Sequence, residues 1–440
     1  MSEGGMEAPK RNILNWKNKD FNDLENLDEE TRRVFDICHG CRRCFNLCDS
    51  FPKLFDMIDE SETGELDSVE SSKFEAVVES CTLCDMCYMT KCPYVPPHEF
   101  NLDFPHLMLR YKSTILKNKK FLNIFERMLL NTDLTGKLGN LVPSITNFIL
   151  SKNNFIFRKL LNKIFKIHLD ATLPSFKKLK ISNFQIQNKI KSNFSDKVVI
   201  YTTCYVNYNM PNIAKATLEV LKKNNDEVEF VYPECCGMPY LENGDLDNVA
   251  KKAAKISKVF ESWIDKGYKV ITLTPSCGLM LKSEWPLILP ENESVIKLSN
   301  ATKDICEYLV SKSKNNSLNT EMGPISEKVS LHFACHSRAQ NIGPKAAEML
   351  KLIPKLELNI IERCSGHGGT FGVKNKTFDI ANNYVKGTIR KIEREKPNLV
   401  LSECPLAHKH LNKNSDQNSR NKFEISHPIE LLAQSYKKAR

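Results

Sequence analysis

The sequence predicts a multidomain α+β protein: an all-α, cysteine-rich front module, a helical connector, and an α/β unit that occurs twice. Three observations predict it. Two matching cysteine runs sit near the front, each led by a short helical stretch. Between residues 104 and 170, apolar residues recur at helical spacing with Lys and Arg among them. From residue 197 on, strands and helices alternate, and the alternation recurs after about 130 residues, counted from Cys204 to Cys335.

Residues 1–30 are polar and acidic and read as a partly ordered arm. TRRVFDI then leads as a short helix into CHGCRRCFNLCD, which holds Cys38, Cys41, Cys44 and Cys48. CTLCDMCYMTKCP holds Cys81, Cys84, Cys87 and Cys92, closed by Pro93. Between the runs lies an acidic, Gly-punctuated loop ending in the helical stretch KFEAVVES. Thiolates spaced two residues apart wrap one face of an iron–sulfur cube, and the last cysteine of each run ligates the neighbouring cluster. Residues 31–103 are therefore expected to be a ferredoxin-like module with two [4Fe-4S] clusters. One would rest on Cys38, Cys41, Cys44 and Cys92, the other on Cys81, Cys84, Cys87 and Cys48. The second run is irregular: Tyr88 to Lys91 put an extra residue before Cys92.

The 440 residues suffice for two or three domains with sizeable cores. The 16 cysteines, with no readable secretory signal, suggest a reducing compartment in which thiols bind metal. No apolar run reaches the length of a membrane span. The expected location is cytoplasmic, with the inner face of the cytoplasmic membrane as a peripheral site. Net charge is +10, unevenly spread. Residues 1–103 carry 11 basic and 22 acidic side chains, whereas 104–197 carry 18 basic and 4 acidic. The connector, 104–196, reads as basic amphipathic helices that suit an anionic membrane surface or a partner protein, or that simply pack on a neighbouring domain. No recognition motif accompanies the charge, so nucleic acid is not an expected partner.

In the first α/β unit, residues 197–325, the strands KVVIYTTC, EVEFVYPECCG and YKVITLTPSCG end at Cys204, at the pair Cys235–Cys236, and at Cys277. In the second, residues 326–440, KVSLHFAC, LELNIIERCSG and PNLVLSECP end at Cys335, Cys364 and Cys404. Open α/β sheets place their sites at these carboxyl ends. The first set suffices for a further iron–sulfur cluster or zinc. The second is a candidate metal site with three thiols, His367 or His336 as candidate fourth ligand, and His332 nearby. Cys306 reads as a buried structural thiol.

ECCGMPYLENGDL, TPSCGLMLKSEWP, ACHSRAQNIG, RCSGHGGTFGVK and SHPIELLAQSY, with the two front runs, carry a resemblance. The chain resembles the family of iron–sulfur subunits typified by the one in anaerobic glycerol-3-phosphate dehydrogenase. More broadly it is similar to the heterodisulfide reductase B/D group, with its paired cysteine-rich (CCG) domains. The resemblance covers about residues 31–435 and is weakest in the connector. The family pattern is a Cys, then Cys-Cys-Gly, then Cys-x-x-Cys. Here Thr274 and Leu401 read as replacing the first cysteine of the last pair, and Ser365 replaces one of the middle pair. The resemblance implies an electron-transfer subunit. It would carry electrons from a flavoprotein dehydrogenase of glycerol-3-phosphate or 2-hydroxy-acid type toward quinone or another carrier. No nucleotide fingerprint follows a strand and no P-loop occurs, which favours a separate flavin-bearing partner. A catalytic disulfide reductase, and a sensor or assembly protein, are the alternatives.

Overall fold

In the computed structural model, the residues described are 9–118, 124–178, 181, 194–418 and 425–439. Parts of the expected arm (1–8), connector (119–123, 179–180, 182–193) and second α/β unit (419–424, 440) lie outside the described residues.

Five helices build the front: α1 Leu24–Cys41, α2 Ser50–Asp59, α3 Phe74–Ser80, α4 Met86–Thr90 and α5 Phe104–Asn118. α1 begins well before TRRVFDI because the Asp23 carboxylate caps it, accepting from the Asn26 N–H. α2 adds a helix at the start of the segment between the cysteine runs. Its Phe51, Leu54, Phe55 and Ile58 follow helical spacing and are all buried. Phe51 meets Phe104 of α5 at 4.8 Å between ring centroids, and Phe35 of α1 meets Phe74 of α3 at 5.2 Å. The arm before α1 packs on the body. Trp16 is buried and donates its indole N–H to the Ile288 carbonyl at 2.9 Å. Arg11 pairs with Asp85 at 2.7 Å, with Asp103 at 3.0 Å and with Glu284 at 3.0 Å. Arm, front module and first α/β unit are thereby joined, and one apolar cluster runs from Phe51 to Val249 and Trp285.

Four short helices follow: α6 Ile124–Leu130, α7 Thr132–Leu141, α8 Pro143–Leu150 and α9 Phe155–Phe165. Among the described residues no helix is long and apolar enough to cross a membrane.

Two four-stranded parallel sheets come next. The first has the order β2-β1-β3-β4, from β1 Asp196–Tyr201, β2 Asp226–Val231, β3 Lys269–Thr272 and β4 Thr302–Asp304. The second has the order β6-β5-β7-β8, from β5 Lys328–His332, β6 Glu357–Ile361, β7 Leu399–Ser402 and β8 Ile425–Ser426. The identical strand order is the internal repeat in three dimensions. β4 and β8 were not expected from the sequence. Each is at once followed by a helix with a capping box, closed by Asp304 with Glu307 and by His427 with Glu430. The two sheets share one buried apolar cluster, in which Ile200 and Ile271 sit with Leu331 and Leu401.

Candidate functional site

All 16 cysteines carry free thiols. In the front module, Cys38 and Cys41 close α1, and Arg42 ends it in a left-handed turn that donates its N–H to the Cys38 carbonyl. Cys84 sits between two residues at positive φ, Leu83 and Asp85, so the chain curls tightly around it. The extra residue before Cys92 is absorbed by the end of α4. There the N–H groups of Lys91 and Cys92 both reach the Cys87 carbonyl, at 3.3 and 2.8 Å. The thiols of the two runs crowd one another. Burial, then neighbouring Cys92, Cys44 and Cys41, push the Cys38 thiol well up. Burial, then Cys84, Cys81 and Cys48, do the same to Cys87. Cys92 thus neighbours thiols of the first run, and Cys48 neighbours thiols of the second.

A site built for thiolates should provide donors for them. Backbone N–H groups face Cys48 from Ser50, Cys81 from Leu83, Cys84 from Met86, and Cys92 from Tyr94 and Val95. Two half-buried cations lie beside the second set. Lys112 Nζ donates to the Cys81 carbonyl at 2.7 Å and to the Glu242 carbonyl at 3.2 Å, and the Arg11 guanidinium lies within electrostatic range of Cys81. Without bound cations, burial and mutual repulsion hold Cys44 and Cys48 up at about 12, so these groups stay protonated. Four crowded thiols with aimed amides fit an iron–sulfur cluster, whose iron charge reverses that penalty.

In the first α/β unit, Cys204 Sγ lies 3.8 Å from Cys235 Sγ, and Cys236 Sγ 3.3 Å from Cys277 Sγ. The strand ends thus bring together all four thiols singled out from the sequence. Hydrogen bonds from the Cys204 and Cys236 thiols, with the Gly237 N–H, hold Cys235 well below the ordinary thiol range. The loop is held from behind by residues that the sequence reading missed. Asp133, at the start of α7, accepts the Cys235 N–H at 3.0 Å, the Tyr232 hydroxyl at 2.5 Å and the Lys252 ammonium at 3.0 Å. Trp285, fully buried, donates its indole N–H to the Cys236 carbonyl at 3.2 Å. The signal available for Asp133 was its sign: it is an acidic residue in a strongly basic connector.

The second unit differs. Burial, then Cys364 and Cys404, push the Cys335 thiol up, so the three thiols are neighbours, and the Gly366 N–H donates to Cys364 Sγ at 3.3 Å. His332 is occupied: Nδ1 bonds the Ser402 hydroxyl at 2.8 Å and Nε2 the Arg363 carbonyl at 2.9 Å. His336 reaches the Leu83 carbonyl of the front module. His367 keeps a buried Nε2 with no hydrogen-bond partner. Cys306 is buried in the core, as expected. Among the described residues no three His, Cys, Asp or Glu side chains converge on a point suited to a single metal ion.

The strand registers correct one equivalence. Tyr201 pairs with Thr272 across β1 and β3, and His332 pairs with Ser402 across β5 and β7. Two residues beyond these strand ends lie Thr274 and Cys404, each followed by a proline that opens a helix, Pro275 and Pro405. Cys404 therefore stands where the first unit has Thr274, and Ala407 stands where it has Cys277. Leu401, read from the sequence as the replaced cysteine, is a fully buried residue inside β7. The two units lack opposite members of the same Cys-x-x-Cys pair. Thr274 fills its place with a hydroxyl 3.1 Å from that of Thr203, both buried.

Residues 198–282 and 329–412 each match the family model described as "Cysteine-rich domain", CCG. The chain contains two CCG domains. It is 24% identical over 403 residues to a subunit of anaerobic glycerol-3-phosphate dehydrogenase from Escherichia coli, covering 81% of this chain and 98% of that one. It is 27% identical over 253 residues to a subunit of fumarate reductase (CoM/CoB) from Methanothermobacter marburgensis, covering 56% of this chain and 48% of the relative. It is also 26% identical over 259 residues to lactate utilization protein A 2 of Bacillus cereus, covering 55% of this chain and all of that one (100%).

The cysteine sets lie in sequence. Cys87 senses Cys44, linking the two front sets. Cys84 senses Cys335 and Cys364, linking the second front set to the second CCG domain. Cys404 senses Cys277, and Tyr205 senses both Cys404 and Cys204, linking the CCG domains to each other.

Proposed function

We propose that this chain is an iron–sulfur electron-transfer subunit of an oxidoreductase complex. The observation that supports the reading is that cysteines of each set lie within electrostatic range of cysteines of another, from the front runs to the first CCG domain. Iron–sulfur clusters exchange single electrons with little bond rearrangement, which is the chemistry that thiolates so arranged would supply. Cys38, Cys41, Cys44 and Cys92 would hold one [4Fe-4S] cluster, and Cys81, Cys84, Cys87 and Cys48 another. Cys204, Cys235, Cys236 and Cys277 would hold a third centre, and Cys335, Cys364 and Cys404 an altered one. Lys112 would place a positive charge beside the second, and Asp133 would fix the Cys235 loop. The relatives' names support a partner protein in the complex, since they are those of dehydrogenase and reductase subunits. The donor would be a flavoprotein dehydrogenase of glycerol-3-phosphate or 2-hydroxy-acid type. The acceptor would be quinone or a comparable carrier, at a cytoplasmic or peripheral membrane location.

The test is EPR of the anaerobically purified chain. Cys92→Ala is expected to alter the same signal as Cys38→Ala, and Cys48→Ala the same signal as Cys81→Ala. Cys236→Ala should remove a further signal and leave both front signals in place. Multiple-turnover reduction of a disulfide by the chain alone, without a partner, would overturn the relay reading in favour of a catalytic role.

A further inference from the structure

The second cysteine run turns sharply at Cys84. Leu83 before it sits at φ 51° and Asp85 after it at φ 63°. For a bulky residue such as leucine that conformation is costly, and it persists only where the surroundings over-determine it. Leu83 is held by burial. Asp85 stands at the N-cap of α4, the helix that carries Cys87, yet its carboxylate makes no capping bond to that helix. It is gripped by Arg11 instead. Arg11 Nη1 donates to one Asp85 oxygen at 2.9 Å and Nη2 to the other at 2.7 Å. The guanidinium also lies over the ring of Tyr88, the residue after Cys87, at 4.5 Å from its centre. One side chain thus holds the residues that follow two of the four thiols assigned above to the second [4Fe-4S] cluster.

Arg11 is itself held from the other side of the arm. The Leu14 N–H donates to the Leu287 carbonyl at 2.9 Å, and the Trp16 indole to the Ile288 carbonyl at 2.9 Å. Both acceptors belong to the first α/β unit, as does Glu284, which accepts from Arg11 Nη1 at 3.0 Å. Asp103 pairs with Arg11 at 3.0 Å, and His106 bridges Asp103 and Glu284 at 3.3 and 3.1 Å. The side chains of Asp85 and Glu284 are 5% and 3% exposed and that of Arg11 10%, so water cannot take the place of the guanidinium. A planar fork shared among buried carboxylates fixes the orientation of each, which a mobile surface ion pair would not do.

We propose that Arg11 is a positioning residue for the second front cluster: it locks the Cys84–Cys87 turn in its ligating shape, and the arm ties that turn to the first α/β unit. This role rests on the iron–sulfur reading above. Hydrogen bonds and charge around a cluster set its potential, and partners behind the ligands set how tightly the metal is kept. Arg11 stands within electrostatic range of Cys81, so it bears on both. The arm then tunes the second front cluster and is more than a tail laid over the body.

The experiment compares the full chain, purified anaerobically, with Arg11→Gln, Arg11→Lys and Trp16→Phe. It uses redox titration followed by EPR, and the rate of iron loss to a chelator. In Arg11→Gln the signal that depends on Cys81 should move to lower potential by about tenfold in its reduction equilibrium, about 59 mV for one electron. Its iron should be lost about tenfold faster or more, while the signal that depends on Cys38 stays as it was. Arg11→Lys keeps the charge but not the fork, so it should keep most of the potential and still lose iron nearly as fast as Arg11→Gln. Trp16→Phe leaves Arg11 in place and loosens the arm, and should show the same changes on a smaller scale. A merely structural Arg11 would lower the thermal midpoint and leave potential and iron loss unmoved, which overturns the proposal. Equal changes in both front signals, or an Arg11→Lys that keeps its iron as the parent does, overturn it as well. Should Arg11→Gln fail to fold, an unchanged Cys81-dependent signal in Trp16→Phe decides against it. A parent chain without either front signal overturns the iron–sulfur reading and this role together, whereas front signals indifferent to Arg11 overturn this role alone.

Discussion

The two CCG domains share a strand order and the placement of their cysteines at strand ends, yet they surround those thiols differently. In the first, the loops are pinned by side chains from outside the sheet: Asp133 from the connector, Lys252 from the following helix, and Trp285 beneath Cys236. No histidine occurs between residues 197 and 325. The second holds its loop with the Thr388 hydroxyl, which donates to the Cys364 carbonyl at 2.6 Å, and it carries His332, His336, His367, His408, His410 and His427. It also leaves Cys364 exposed. The strand scaffold is thus indifferent to the chemistry at its carboxyl ends, and each copy keeps its site only as long as its own loops support it.

Acid should separate the two domains most strongly. In the second, burial holds His332 and His408 down at about 4 and His427 at about 3. The three histidines are neutral in the fold. His332 faces Arg338, His408 faces His332 and the Ser402 carbonyl, and His427 faces His408 and Glu403. A base depressed on folding binds more protons when unfolded, so its contribution is whole above about 6.5 and falls as pH drops toward 4. Glu403, pushed up to about 8 by burial, works the other way and offsets roughly one histidine. The net expectation is a loss of several kcal/mol in the second domain between about pH 6.5 and 4. In the first domain, burial raises Glu242 to about 7 and Asp304 to about 6. Those carboxyls favour the fold as pH falls through the same window. Hydrogen exchange at neutral and mildly acidic pH reads β1–β3 and β5–β7 separately. Equal loss of protection in both sheets would break the comparison.

The same contrast marks what could be read from the sequence. Strands ending in cysteines were legible because a short β-branched run followed by Cys, Gly or Pro has few alternative structures. β4 and β8 were not, since Thr302–Asp304 and Ile425–Ser426 are too short to show a period. The closeness of Cys92 to the first run and of Cys48 to the second was legible from spacing alone. The equivalence of Cys404 did not: counting cysteines aligned it with Cys277, whereas strand pairing aligns it with Thr274. Asp133 lies 102 positions from the N–H it accepts, a separation that no local pattern reports.

Asp133→Ala tests the props of the first domain. It removes the acceptor of the Cys235 N–H and of the Tyr232 hydroxyl, and one of the two carboxylates of Lys252, which keeps Glu234 at 2.5 Å. Leaving two buried donors unpaired should cost about 2–4 kcal/mol by denaturant unfolding. The EPR signal that depends on Cys236 should broaden or vanish, with the front signals intact. Asp133→Asn keeps an acceptor and should recover part of the loss. An unchanged Cys236-dependent signal in Asp133→Ala would mean that the loop holds its own shape.

The smallest expected effect comes from restoring a cysteine where the two domains differ. Thr274→Cys puts a thiol at the place that Cys404 occupies in the second domain. It removes the hydrogen bond to the Thr203 hydroxyl, at a cost of about 1 kcal/mol. Thr203 itself sits at φ 61°, a conformation costly for a β-branched residue, and caps the helix that begins at Cys204 by accepting the Val206 N–H. Losing its partner should therefore loosen the Cys204 turn before it affects Cys235 or Cys236. If Thr274 merely fills a vacancy, the variant should be slightly less stable and carry an altered Cys236-dependent spectrum, because a fifth thiolate enters its surroundings. If the hydroxyl pair is what holds Cys204 in place, Thr274→Ser should preserve both stability and spectrum while Thr274→Cys weakens them together. The same spectrum in all three proteins would place Thr274 outside the reach of the thiols, and would mean that the vacancy in the first domain has no bearing on what its four cysteines bind.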